Sequence, residues 1–150
     1  MNHAEFKIKL ESIQDSIGEF EKQIAEKRHE ALEMYLEQWG SFVGSYIEYA
    51  EENGTYTYMK VEEENVSPYL LGIELIGPYI TTSERFFDDD EDEEGFDGPD
   101  SIAYNEWARI YVPYSTLGNF GASTISRISR EKFQEAFKGW LGKAMKMFDI

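Results

Sequence analysis

The sequence predicts an α+β fold: a long N-terminal helix, a four-stranded and mainly antiparallel sheet, and a C-terminal helix packed on one face. Three observations predict it. Apolar residues recur at helical spacing through the N-terminal quarter of the chain. Runs of β-branched and aromatic residues, separated by turn signals, fill the centre. A capped amphipathic segment closes the sequence. The 150 residues fit one domain spanning 1–150, and 41% hydrophobic with 15% aromatic content is too apolar for a disordered acidic chain.

The first helix is expected over about residues 4–39. Phe6, Leu10, Ile13, Ile17, Phe20 and Ile24 follow one another at steps of four and three, the period of one helix face. Ala31, Leu32, Tyr35, Leu36 and Trp39 continue the pattern less regularly. Lys27, Arg28 and His29 interrupt it. Gly40 and Gly44 weaken helix beyond, although Phe42, Val43, Tyr46 and Ile47 keep the same phase. A single helix over 4–50 would reach about 70 Å at ~1.5 Å per residue, too long for a domain of this size. A break near 27–30 or 40–44 is therefore expected, or else pairing with a second copy.

Strands are expected at 55–61, 69–76, 79–87 and 107–112. Gly77-Pro78 reads as a turn between the second and third, and Pro113 as the end of the fourth. The short connections favour an antiparallel meander. In the final helix, Ser129 is the expected N-cap and Glu131 suits the first turn. Phe133, Phe137, Trp140, Leu141, Ala144 and Phe148 form the expected apolar face.

Charge carries the functional expectation. The formal net charge is −16, from 14 basic and 30 acidic residues. Residues 1–39 hold 9 acids and 5 bases, and residues 122–150 hold 3 acids and 6 bases. Residues 40–121 hold 18 acids and 3 bases, so nearly the whole surplus lies in the sheet region. Such a surface repels polyanions, which argues against direct contact with nucleic acid or an anionic membrane and for a basic partner.

Two segments are the candidate binding sites. One is the run Asp88, Asp89, Asp90, Glu91, Asp92, Glu93, Glu94, Asp97 and Asp100, which contains Phe96 as an apolar anchor. The other is the stripe Glu11, Asp15, Glu19, Glu26, Glu30, Glu33 and Glu37, opposite the apolar face of the first helix. Glu26, Glu30, Glu33 and Glu37 stand about 5–6 Å apart per turn, comparable to the phosphate spacing of a nucleic acid. The bland reading of each is a solvated loop and a solvated helix face. Tyr56, Tyr58, Tyr69, Tyr79, Tyr111 and Tyr114 divide between sheet packing and a contact surface.

Catalytic and metal signatures are weak, and neither an enzyme nor a bound cofactor or metal is expected. The chain has no cysteine, and its two histidines, His3 and His29, offer no triad or ligand set. Gly139-Trp140-Leu141-Gly142-Lys143 lacks phosphate-loop spacing, and Pro99-Asp100 lacks the Glu-x-Lys partner of a nuclease. Asp90, Asp92, Glu94 and Gly95 match half of a calcium loop, but position twelve is Ser101.

The leading expectation is an acidic inhibitor or decoy, a nucleic-acid mimic that blocks the basic surface of a nucleic-acid-binding partner, as a phage counter-defence protein would. A bacterial immunity protein neutralising a nuclease or other toxin is the alternative within that class. A homodimer assembled through the 6–24 seam and a divalent-metal-binding domain are the others. No apolar signal region or spanning segment is read, so a cytoplasmic location, in a bacterium or a host cell, is expected.

Overall fold

The computed structural model describes residues 1–67, 71–83, 85, 86 and 102–150. They form two compact units, Met1–Gln38 and Trp39–Ile150.

The first unit is helical. Helix α1 runs His3–Trp39, 37 residues. Asn2 caps it, its side chain accepting from the Glu5 backbone N–H at 2.9 Å. The break foreseen at 27–30 is absent. Lys27 reaches Glu30 at 3.2 Å and His29 reaches Glu33 at 2.9 Å, both at spacings that support helix. The helix stops instead at the second expected place. Gly40 and Gly44 take φ of +76° and +82°, where other residues are strained. Tyr46 and Ile47, in helical phase with what precedes them, belong to strand β1 (Tyr46–Ala50). No residue of α1 is buried.

The second unit is a curled antiparallel sheet with a helix on one face. After β1 come β2 (Tyr56–Lys60), β3 (Glu63–Val66), β4 (Gly72–Thr82) and β5 (Ile102–Pro113). A short helix α2 (Tyr114–Leu117), strand β6 (Thr124–Ile128) and helix α3 (Arg130–Met147) complete the chain. β4 is the central strand. β5 lies along one of its edges, and β2 and β3 follow each other along the other. β1 pairs with β2, and β6 with β1.

The α+β architecture is as expected, with six strands described where four were read. The pieces expected at 69–76 and 79–87 meet in the one strand β4, because Gly77-Pro78 is a bulge in it and not a turn. The register against β5 shifts between Gly77 and Tyr79. A Cβ at Gly77 would strike the Lys60 carbonyl oxygen, so only glycine lets β2 come this close. Proline at the bulge has no N–H to withhold from the ladder. β1, β3 and β6 are the additional strands.

Successive residues of β2 point to opposite faces. Tyr58 faces α3, where it forms a buried cluster with Ile80 and Ala136. Tyr56, Phe86, Ile128, Phe133 and Trp140 pack around them. Met59 and its cross-strand neighbour Ile47 face the other way and are fully buried, as are Leu75 and Val112. Each such side chain stabilises the fold by about 1.5–3 kcal/mol. The buried stripe of α3 is rotated from the expected one: Ala136 lies at its centre, while Phe137, Leu141 and Phe148 are exposed. Ser129 caps α3 as read, accepting from Lys132 N at 3.1 Å.

Candidate interaction surfaces

The fold fastens both approaches to the acidic run. On the N-terminal side, Arg85 clasps Glu48 with two hydrogen bonds, Nε to Oε2 at 3.1 Å and Nη2 to Oε1 at 3.2 Å. Glu48 comes from the middle of β1 and is buried. A buried carboxylate requires such partners. Tyr58 supplies a third, its hydroxyl donating to Oε2 at 2.9 Å. Phe86, the next residue after Arg85, lies so close over Gly139 of α3 that a Cβ there would meet its ring at 2.5 Å. On the C-terminal side, Tyr104 of β5 stacks on Trp140 with ring centroids 5.6 Å apart. Phe86 and Tyr104 are thus seated on adjacent positions of α3. Two aromatic contacts and one ion pair hold Arg85, Phe86 and Tyr104, which flank the acidic run in sequence.

Burial holds the Tyr58 hydroxyl far above its ordinary 10.0, and the Glu48 carboxylate adds to that, opposed by Arg85 and by a bond from the Phe86 backbone. Burial also raises Tyr49, with help from Glu51, and raises Tyr111.

The acidic-run candidates Asp88 through Glu94, Phe96, Asp97 and Asp100 lie outside the described residues, as do Tyr69 and the half calcium loop Asp90–Gly95. Glu26, Glu30, Glu33 and Glu37 are exposed on α1. Glu30 and Glu33 pair with Lys27 and His29 of the same helix. The expected tyrosine surface splits. Tyr58 is core and Tyr56 packs against it, whereas Tyr79 lines a groove between α3 and the sheet. That groove comprises adjoining hollows of about 430 and 190 Å³, floored by Tyr46, Phe133 and Phe137 and edged by Lys60, Arg130 and Lys138. It is a basic, aromatic place in an acidic protein.

Sequence reasoning missed Glu48, Tyr58 and Arg85 as a unit, because 37 residues separate the acid from its arginine. One signal was present: Arg85 is one of only 3 bases in residues 40–121. An isolated cation amid acids is expected to hold something.

Among the described residues no group of three or more His, Cys, Asp or Glu side chains is arranged to hold a metal ion. No helix among them is long and apolar enough to cross a membrane. No family model, no curated protein and no solved structure matches the chain.

Proposed function

We propose that the protein is an acidic binding protein that offers the carboxylates of residues 88–100 to a basic surface on another protein, in competition with nucleic acid. The observation that carries this reading is the anchoring of Phe86 and Tyr104 on neighbouring positions of α3. A mere solvated linker between two strands needs no such fastening. Anchored ends reduce the entropy lost when the intervening segment docks. The charge distribution supports the same reading, since 9 of the chain's 30 acids fall between Asp88 and Asp100. Affinity of this kind depends on salt, because it rests on complementary potentials and fast electrostatic steering. A partner that uses its basic surface to grip nucleic acid would be inhibited, whether it is a defence complex or a co-encoded toxin.

The test is capture from a cell extract on immobilised protein, with elution by rising salt and, separately, by duplex DNA or RNA. Wild type is compared with a variant carrying Asn and Gln at Asp88–Glu94. The expected result is a basic nucleic-acid-binding protein that wild type retains, the neutralised variant loses and nucleic acid displaces. A specific partner held equally by both proteins overturns the assignment to the run. A parallel variant, Glu26, Glu30, Glu33 and Glu37 to Gln, reports on the helix stripe.

A further inference from the structure

Helix α1 presents an apolar stripe to solvent along most of its N-terminal half. Phe6, Leu10, Ile13, Ile17, Phe20 and Ile24 are between 42% and 63% exposed, and no residue of the helix is buried. A lone amphipathic helix is marginal in water, since helices draw most of their stability from packing that face. The spacing of these six residues suits a second copy of the same helix. It is symmetric about Asp15: Phe6 and Ile24 are equidistant from it, as are Leu10 and Phe20, and Ile13 and Ile17. Reversing the helix end for end maps the stripe onto itself.

We propose that the protein is a homodimer in which two α1 helices pair antiparallel, centred on Asp15. Phe6 packs against the partner's Ile24, Leu10 against the partner's Phe20, and Ile13 against the partner's Ile17. Phe6, Ile13 and Phe20 alternate along the seam with Leu10, Ile17 and Ile24, so every layer joins one residue of each set and each phenylalanine meets an aliphatic side chain, which keeps the seam even in width. A parallel pair would oppose Phe6 to Phe6 and Phe20 to Phe20 while leaving Ile13, Ile17 and Ile24 in narrower layers. It would also bring the two Lys27 side chains together at the next seam position.

The flanking charges favour the same orientation. In the antiparallel register Lys7 faces the partner's Glu21, and Glu21 faces the partner's Lys7. Gln14 and Ser16 meet their own counterparts, and Lys9 meets the partner's Gln23. All these side chains are exposed in the single chain. The seam ends at His3 and Lys27, polar at both limits. In a parallel pair the flanks would join Lys9 to Gln14, Ser16 to Glu21 and Gln23 to Arg28, with no ion pair among them. Covering both stripes removes roughly 1,200 Å² from water, the lower end of stable specific interfaces. The carboxylate stripe Glu11, Asp15 and Glu19 stays outward.

The chain's lack of cysteine makes the orientation testable by single thiols. Light scattering at micromolar concentration should give about twice 17.4 kDa. Ile17→Asp should give a monomer with unchanged tryptophan fluorescence from the sheet unit. Under mild oxidation Gln14→Cys should cross-link, because residue 14 lies beside its own counterpart only in the antiparallel pair. Phe6→Cys should not, its two copies being about 27 Å apart along the axis. Lys7→Glu should weaken the dimer about three- to tenfold, and adding Glu21→Lys should restore it. A monomeric wild type, a mass above a dimer, or cross-linking at Phe6→Cys without Gln14→Cys overturns the proposal.

Discussion

The two units of this chain are ordered by different means. In the sheet unit an arginine and a tyrosine from distant parts of the sequence both bond to the buried Glu48 carboxylate. Helix α1 has no buried residue, and its order comes from repetition: helical spacing, an N-cap and ion pairs one turn apart. The first kind of order is cooperative, so removing one member takes a hydrogen-bond partner from the others. The second is distributed, so single changes have small effects until the apolar stripe is covered. Mutations can break or sharpen this contrast.

The largest effect is expected at Glu48. Glu48→Ala takes the carboxylate acceptor away from the Arg85 guanidinium and the buried Tyr58 hydroxyl. Breaking a buried pair in this way costs about 3–5 kcal/mol; because the Arg85 side chain keeps 32% of its surface in water, the lower part of that range is expected here. A urea midpoint followed by near-ultraviolet circular dichroism measures it. A loss below about 1 kcal/mol would mean that the pair is replaced by solvent without penalty.

The next effect is alkaline instability. Tyr58 is held protonated in the folded state, far above 10.0, mainly by burial and then by Glu48. The unfolded chain ionises near the ordinary value. Stability from this group is therefore complete below about pH 10 and declines as pH rises toward the folded value, by up to about 1.4 kcal/mol per pH unit. Tyr49 and Tyr111 shift in the same direction and steepen the decline. Tyr58→Phe should cost about 1–2 kcal/mol near neutrality and flatten the alkaline limb. An equally steep limb in the variant would assign the decline to other groups. Helix α1 contains no tyrosine before Tyr35, so its helicity should not follow this limb.

The same contrast explains what the sequence disclosed. α1, α3 with its Ser129 cap, and β2 were legible because period, cap and composition are local properties. β1 was not, because Tyr46 and Ile47 fall in helical phase with α1 and only the left-handed glycines before them cancel that signal. The Gly77-Pro78 pair has the composition of a turn. Its use as a bulge depends on Lys60 approaching from another strand, which no local reading contains. The acidic run was obvious as composition, yet the anchoring of the flanking Arg85, Phe86 and Tyr104 depends on contacts with Glu48, Gly139 and Trp140 that exist only after folding. Charge is visible in sequence, and its placement is tertiary.

Two helical glycines give the smallest and most direct comparison. Replacing glycine by alanine inside a helix gains about 1 kcal/mol from backbone entropy, other things being equal. At Gly18 of α1 nothing lies within 4 Å of the added Cβ. Gly18→Ala should therefore deliver that gain, visible as greater helicity and a higher melting temperature of α1, with the sheet unit unmoved. At Gly139 of α3 the added methyl would meet the Phe86 ring at 2.5 Å, a clash that ordinarily costs about 1–3 kcal/mol and outweighs the helical gain. Gly139→Ala should thus lower the stability of the sheet unit by up to about 2 kcal/mol. It should also weaken partner capture, by displacing the residue that leads into the acidic run. Opposite signs for one substitution would confirm that α1 is governed by propensity and the sheet unit by packing. If Gly139→Ala is as stabilising as Gly18→Ala, then Phe86 yields freely, and the anchoring on which the proposed function rests is lost.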